Sequence, residues 1–158
     1  YMAEIYKNMG LLVLCKTSND GSGYLQNQYL RTSAIPSDKV YEYVAKTASD
    51  PEWDKYGQIG FVAGSTYPAE LKRIRGLAPQ AVLLLPGVGA QGGDIDATVA
   101  AGWHPDGEIV VSSSREVLYG PATEVRTLQN FADMARAQAM KTRDALNAAI
   151  QKASTQIN

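Results

Sequence analysis

Residues 82–94 read VLLLPGVGAQGGD, an apolar run followed at once by a segment in which four of seven residues are glycine. The apolar run is typical of a strand buried on both faces. Glycine at this density costs backbone entropy, so the segment is predicted to let backbone approach something very closely. One interpretation is an anion cradle built from N–H groups beside Gln91, and the other is a purely structural tight turn.

Three more apolar runs share this character, and together the four predict a parallel sheet. The predicted strands are Leu11–Cys15, Ile59–Ala63, Ala81–Leu85 and Ile109–Val111. Because none of them alternates strictly between apolar and polar residues, we expect both faces of the sheet to be covered. Segments of helical character lie between the strands, which favours βαβ units within one α/β domain.

The helical segments carry start and stop residues. Ser37 is the predicted N-cap of a helix that runs to residue 48, and Pro68 occupies the first position of the next helix, with Gly76 near its end. The other predicted helices are a tail ending at Gly10, a short one over Ile95–Ala101 and a long one over 125–152. Residues 18–36 remain as a long polar loop, and a long loop that follows a strand is usually functional.

Bulk composition excludes several classes of protein. The chain has 158 residues, 45% of them hydrophobic and 20% charged, with a net charge of −1, which indicates one globular domain of ordinary size. No basic patch favours nucleic acid, and no apolar run is long enough for a membrane span or a signal peptide. With one cysteine and one histidine, the chain holds neither an internal disulfide nor a Cys/His zinc site. We expect a cytoplasmic protein without a metal or cofactor.

Every predicted strand runs into polar residues or glycine, at the edge where parallel α/β folds bind ligands. The four segments are KTSNDGS (16–22), GSTYP (64–68), PGVGAQGGD (86–94) and SSSREV (112–117). Arg115 opens a helix directly after the fourth strand, and a guanidinium beside free helix N–H groups suits a phosphate. This favours phosphate binding over the alternative of a surface arginine paired with Glu116 or Asp94.

The segments LCKTSNDGS, GSTYPAELKRIR, LLLPGVGAQGGD and SSSREVLYG, in this order and spacing, resemble the second half of the orotidine 5′-monophosphate decarboxylase family, in its longer bacterial branch. The resemblance covers nearly the whole chain. It implies a (β/α)8 TIM barrel in which residues 1–158 are the C-terminal half of a single domain and supply strands five to eight and the C-terminal helix. It also implies cofactor-free decarboxylation of orotidine 5′-monophosphate (OMP) to uridine 5′-monophosphate (UMP) by a homodimer.

The resemblance assigns the 5′-phosphate to two side chains and two backbone groups. Gln91 and Arg115 would hold the phosphate through their side chains. The N–H groups of Ser114 and Arg115 would assist them. These residues come from the segments that follow the third and fourth strands.

The pyrimidine is assigned to residues that follow the first and third strands. Ser18 would bind the pyrimidine edge through its hydroxyl and backbone, and Asn19 is its neighbour. Pro86 and Val88 would wall the base. Thr66 and Tyr67 lie in the segment that corresponds to the sixth loop of the family, and we assign them no substrate contact.

The sequence departs from the family's pattern at the catalytic group. The family's Asp-x-Lys-x-x-Asp motif, with a further lysine on the second strand, does not occur in this sequence. Lys16 ends a strand but has no flanking pair of acids, so we interpret it as structural and assign no catalytic residue. We expect the missing lysine on an N-terminal half that is a separate piece, consistent with a chain that begins at Tyr1, and we expect this chain alone to be inactive.

Two other functions stay open. One is a non-catalytic half-barrel module that binds nucleotide or sugar phosphates, and the other is a different phosphate-binding barrel enzyme, against which the TSN motif argues. Further residues receive structural interpretations: Cys15 as a core thiol, His104 in a solvated turn, Trp53 and Trp103 as packing anchors, and Asp94 and Asp96 as helix caps.

Overall fold

The computed structural model describes residues 9–32, 35–89, 91–120, 127 and 130–155, with 32 and 35–37 described by their backbone. The predicted helix tail before Gly10 falls mostly outside these residues, and so does most of the predicted start of the long helix, at 125, 126, 128 and 129. The strands are β1 Leu11–Lys16, β2 Tyr29–Thr32, β3 Ile35–Lys39, β4 Ile59–Ala63, β5 Leu83–Pro86 and β6 Ile109–Ser112. The helices are α1 Gly23–Gln26, α2 Val40–Ala48, α3 Pro68–Leu77, α4 Ile95–Gly102, α5 Arg115–Tyr119 and α6 Phe131–Thr155, with a 3-10 turn at Asp20–Ser22.

A four-stranded parallel sheet forms the centre of the fold. Its order is β1-β4-β5-β6, so each strand pairs with the preceding strand of this sheet along the chain, and β1 and β6 are its edges. All four predicted strands are confirmed, with boundaries that shift by a few residues because hydrogen bonding continues into Lys16, Pro86 and Ser112.

One face of the sheet packs against helices α2 and α3. The core residues from β4, β5 and α3 are at most 1% exposed: Phe61, Ala63, Leu71, Ile74, Leu83 and Leu85. Burial of each large member stabilises the fold by roughly 1.5–3 kcal/mol. The other face is open at the edges, where Leu12, Leu14 and Val110 are 52%, 59% and 49% exposed. The prediction that both faces are covered is therefore wrong for β1 and β6 in this chain, because at these edges helices cover one face only.

Residues 18–36 are not one long loop, and this prediction is wrong. They contain the 3-10 turn, α1 and most of an antiparallel hairpin in which β2 pairs with β3. The hairpin continues to Lys39 and takes Ser37 into a strand, so the prediction of Ser37 as an N-cap is also wrong. Helix α2 starts at Val40 instead, where the N–H of Lys39 donates to the Glu42 carboxylate (2.9 Å).

Helix α3 begins with Pro68 at its first turn and carries Gly76 near its end, as predicted. Its Arg75, which the sequence did not single out, is 4% exposed. The guanidinium donates to five carbonyl oxygens at 2.7–3.3 Å, those of Gly102, Ala78, Pro79, Ala81 and Glu108. Burial lowers the pKa of Arg75 to about 10. This residue ties the end of α3 to the end of α4 and to the residue before β6.

Four residues with structural interpretations fall in different environments. Cys15 is 2% exposed and donates its thiol to the Tyr41 carbonyl (3.2 Å), which confirms a core thiol. His104 lies in a turn closed by its bridge to Gly107, also as predicted. Trp103 is half-buried at the end of α4. Trp53 is 69% exposed, so its prediction as a packing anchor is wrong; it lies in the surface turn between α2 and β4.

Asp94 caps α4 as predicted, since its carboxylate accepts a hydrogen bond from the Ala97 N–H (2.7 Å). Asp96 lies one residue inside the helix and pairs with Lys152 of α6 (3.3 Å), so it is not a cap. In the described ranges, no three His, Cys, Asp or Glu side chains are grouped as they would be around a metal ion. In the same ranges, no helix combines the length and the apolar composition that crossing a membrane requires.

Candidate active site

The glycine-rich loop after β5 folds back on itself. Gly87, Gly89 and Gly92 have φ values of 101°, 76° and 85°, a region that side chains with a Cβ rarely adopt. Three backbone bonds close the loop: Gly92 N–H to Gly89 O (2.7 Å), Gly93 N–H to Gly87 O (3.1 Å) and Gly89 N–H to Gly93 O (3.2 Å). The glycines therefore serve first to make this compact turn.

Close packing with the loop after β4 is a second reason for the glycines. A Cβ on Gly93 would overlap the Ser65 hydroxyl and lie 2.7 Å from the Gly87 carbonyl oxygen. A Cβ on Gly87 would lie 3.0 Å from both Ser65 Oγ and Ser18 Cβ. Ser65, which is 2% exposed, donates its hydroxyl to the Pro86 carbonyl (2.9 Å). Three loops thus meet at the carboxyl ends of β1, β4 and β5.

Two residues predicted to bind substrate, Ser18 and Gln91, are in direct contact. The Ser18 hydroxyl donates to Gln91 Oε1 at 2.9 Å, although the residues are 73 positions apart. Ser18 reaches this position because Gly64 has no side chain: a Cβ there would lie 2.7 Å from the Ser18 N and Cα atoms. The Gln91 amide also carries two N–H donors, a group that suits an anion.

Arg115 begins helix α5, with Ser114 at the N-cap, and both residues are exposed. The Glu116 carboxylate accepts a hydrogen bond from Gln138 of α6 (2.9 Å), while Asp94 caps α4. Neither acid forms an ion pair with Arg115 among the residues described, so the alternative of a paired surface arginine is not observed. Within the described ranges, no ion pair occupies the guanidinium, which is the group predicted to meet a phosphate.

The glycine loop and the start of α5 are held side by side. The Ser113 hydroxyl lies 3.5 Å from the Val88 carbonyl oxygen, and the Glu116 side chain occupies the space that a Cβ on Gly89 would need. Arg115 therefore projects from a segment that is packed against the loop carrying Gln91. Val88 itself is 3% exposed and borders a cleft of about 310 Å³ on the α6 side of the loop.

A model of the orotidine 5′-phosphate decarboxylase / HUMPS family matches residues 2–118. The chain belongs to this family. It is 51% identical over 144 residues to the orotidine 5′-phosphate decarboxylase of Paracidovorax citrulli and 49% identical to that of Polaromonas naphthalenivorans. Each match covers 91% of this chain and 50% or 49% of the relative, so the chain spans about half the length of the curated relatives it matches.

Solved structures of the family share the α/β fold with its parallel sheet. A structure of Leishmania donovani OMP decarboxylase matches with a TM-score of 0.71 at 32% identity, over 92% of this chain and 50% of the other. A structure of Leishmania donovani UMP synthase matches with a TM-score of 0.70 at 36% identity, over 93% of this chain and 29% of the other.

Lys16, which the sequence predicts to be structural, is not part of an Asp-x-Lys-x-x-Asp motif like that of the family. The register of β1 against β4 shifts between Leu14 and Lys16, so that Lys16 rather than Cys15 pairs with the core residue Ala63. Lys16 is 1% exposed; its ammonium donates to Ser22 Oγ (2.8 Å) and lies 4.2 Å from the centre of the Tyr67 ring. Burial lowers the pKa of Lys16, which the Glu70 carboxylate partly offsets.

The loop after β4 supports the residues predicted to bind the pyrimidine. The Thr66 hydroxyl donates to the Ser18 carbonyl (3.0 Å), and the Tyr67 hydroxyl donates to the Asn19 carbonyl (3.1 Å). Asn19 is exposed beside Ser18. The sequence predicts no substrate contact for Thr66 and Tyr67 and does not single out Ser65. The only signal for their role was a small and hydroxyl-bearing segment placed directly after a strand.

Proposed function

We propose that this chain is the phosphate- and pyrimidine-binding half of an OMP decarboxylase, and that together with an N-terminal half it converts OMP to UMP in pyrimidine synthesis. The hydrogen bond between Ser18 and Gln91 carries the proposal, because it joins the loop assigned to the pyrimidine to the loop assigned to the phosphate. In this proposal β1, β4, β5 and β6 are strands five to eight of a TIM barrel, and α6 is its C-terminal helix.

The proposed site divides the substrate between the loops. Gln91 and Arg115 bind the 5′-phosphate, with N–H groups of Ser114 and Arg115. Ser18 binds the pyrimidine edge, and the remaining proposed contacts are Asn19, Pro86 and Val88. Because the phosphate is remote from the carbon that loses CO2, its binding energy can close the loops and align the base, and so lower the barrier at the distant centre.

Three observations support an N-terminal half as the partner. The family's Asp-x-Lys-x-x-Asp motif does not occur among the 158 residues, and the chain spans about half of its curated relatives. The sheet also has edges at β1 and β6 and an exposed apolar face at Leu12, Leu14 and Val110. Four further parallel strands would pair with both edges and cover this face. The partner would supply the lysine that protonates the carbanion; homodimerisation and a cytoplasmic location stay predictions.

The test combines this chain with the part of the Paracidovorax citrulli relative that lies outside the match, and we call this complex the completed protein. We expect the completed protein to consume OMP, followed by its ultraviolet absorbance, and this chain alone to be inactive. UMP should bind far better than uridine in calorimetry, since a charge-assisted phosphate contact contributes about 1.5–3 kcal/mol per hydrogen bond.

Arg115→Ala should bring the affinity for UMP toward that for uridine, whereas Arg143→Ala, at an exposed ion pair on α6, should change neither. Equal affinity of the unsubstituted completed protein for UMP and uridine would remove the phosphate assignment. Binding of nucleotide phosphates without turnover would favour a non-catalytic phosphate-binding module. Decarboxylation by a pure sample of this chain alone would contradict the need for a partner.

A further inference from the structure

The position of Ser18 depends on a short loop, residues 17–22, that we call the Ser18 loop. It begins where β1 ends and closes with the 3-10 turn. It carries the partly exposed Ser18 and the exposed Asn19, and its closing residue, Ser22, is 6% exposed. A hydroxyl that must meet Gln91 at 2.9 Å needs a loop with one conformation, because a small displacement breaks a hydrogen bond of this length.

Lys16 lies at the base of this loop and contacts both of its sides. The ammonium donates to the hydroxyl of Ser22 at the far end of the loop (2.8 Å). It also lies over the ring of Tyr67 at 4.2 Å, within the range of a cation–π interaction. Tyr67 in turn donates its hydroxyl to the Asn19 carbonyl (3.1 Å), in the middle of the loop. One buried charge thus connects the start and the end of the loop and, through Tyr67, its middle.

The irregularity in β1 is what brings the lysine there. Because the register shifts by one residue, Lys16 shares a face with Ala63, on the helix-covered side of the sheet. A lysine is expensive to bury, since its charge loses hydration, and an apolar side chain of similar length would fill this space at lower cost. A hydroxyl and an aromatic face contact the charge directly, and the Glu70 carboxylate adds a favourable charge interaction. The two direct contacts belong to segments that position the Ser18 loop.

We propose that Lys16 is a positioning residue, which joins Ser22 to Tyr67 and so fixes the Ser18 loop in the conformation where Ser18 meets Gln91. The role in substrate binding rests on the proposed function, whereas the ordering of the loop does not. Lys16 touches no substrate and acts through Ser18. It is distinct from the lysine that the proposed mechanism places on the N-terminal half.

The first measurement is amide hydrogen exchange in the completed protein. Lys16→Met keeps the length of the side chain and removes its charge, and it should raise the exchange rates of the amides in residues 18–22 by about tenfold, the size expected for a lost buried cation–π contact. Lys16→Arg, which retains a cation and its donors, should restore most of the protection. Lys152→Met removes an exposed lysine of α6 and is the matched control, with no change in these amides.

Unchanged exchange at residues 18–22 in a folded Lys16→Met protein would overturn the proposal. If circular dichroism shows that this variant does not fold, the variants Ser22→Ala and Tyr67→Leu test the proposal instead, because each removes one direct contact of the ammonium. We expect faster exchange in both variants. The proposal would also be overturned if the amides of residues 18–22 exchanged as slowly in both variants as in the unsubstituted protein.

The second measurement separates positioning from general stability. Lys16→Met should weaken binding of UMP by about tenfold. Ribose 5-phosphate should lose less affinity, because it has no pyrimidine for Ser18 and keeps its proposed contact with Arg115, although the disturbed Gln91 weakens its binding in part. Equal losses for the two ligands would indicate a role in stability only and would overturn the positioning role. If the unsubstituted completed protein binds neither ligand, the proposed function fails, and the exchange experiment still decides whether Lys16 orders the loop.

Discussion

Gly93→Ala adds one methyl group at the most crowded point of the glycine loop. The new Cβ would overlap the Ser65 hydroxyl and lie 2.7 Å from the carbonyl oxygen of Gly87. The carbonyl belongs to backbone and cannot turn away, so the loop itself must shift. Because Gly93 is not among the positive-φ glycines, the effect reports packing rather than backbone strain.

The magnitude follows from two losses. Inserting a methyl group into a filled site costs typically 1–3 kcal/mol. Displacing the Ser65 hydroxyl breaks its hydrogen bond to the Pro86 carbonyl, worth about 0.5–1.5 kcal/mol net. We therefore expect Gly93→Ala to lower the free energy of unfolding of the completed protein by about 2–4 kcal/mol. The displaced loop carries Gln91, so UMP should also bind more weakly.

The assay is urea unfolding followed by circular dichroism at one fixed protein concentration, with calorimetry for UMP. Two other glycines are controls, because a Cβ on either meets nothing within 4 Å. Gly92→Ala should lower the free energy of unfolding by about 1–2 kcal/mol, because of its positive φ alone. Gly76→Ala in α3 should stabilise by about 0.5–1 kcal/mol. A Gly93→Ala protein as stable as the Gly92→Ala protein would refute the packing argument.

Two further predictions concern residues away from the substrate. Arg75→Met removes the donor for five carbonyl groups and should lower the free energy of unfolding of the completed protein by about 3–5 kcal/mol. Arg73→Met, at a half-exposed arginine of the same helix, should lower it by less than about 1 kcal/mol. Equal urea midpoints for the two variants would contradict the role of Arg75. Burial raises the pKa of the Cys15 thiol from 9.0 to about 12, so the native protein should resist iodoacetamide at pH 8 and react once unfolded in urea. Because the unfolded thiol ionises first, this group should lower stability as the pH rises from 9 toward 12, and rapid alkylation of the native protein at pH 8 would contradict its burial.

The parallel sheet could be predicted because its signal is local. Runs such as Ile59–Ala63 are apolar throughout, and the glycine and polar residues that end them mark the ligand-binding edge. The hairpin of β2 and β3 could not be predicted in the same way. Its strands are short and partly polar, and they are stabilised by pairing with each other rather than by a periodic apolar face. The N-cap assigned to Ser37 failed for the same reason.

Roles that depend on tertiary contacts could not be predicted either. Arg75 lies in the segment KRIR, which reads as the charged face of a surface helix, yet it is nearly fully buried because several chain segments end around it. Ser65 becomes important only where Gly93 packs against its hydroxyl. Ser18 and Gln91 were singled out through the family resemblance, and their mutual hydrogen bond is a result of the fold that neither segment indicates alone.

The order β1-β4-β5-β6 means that the sheet grows in one direction as the chain is synthesised. Each strand that emerges finds its neighbour already in place, and closing the intervening loop costs entropy that rises only slowly with its length. No strand must wait for a later segment to be inserted between two earlier ones. The order of the sheet therefore allows it to form during synthesis by successive addition of strands at one edge.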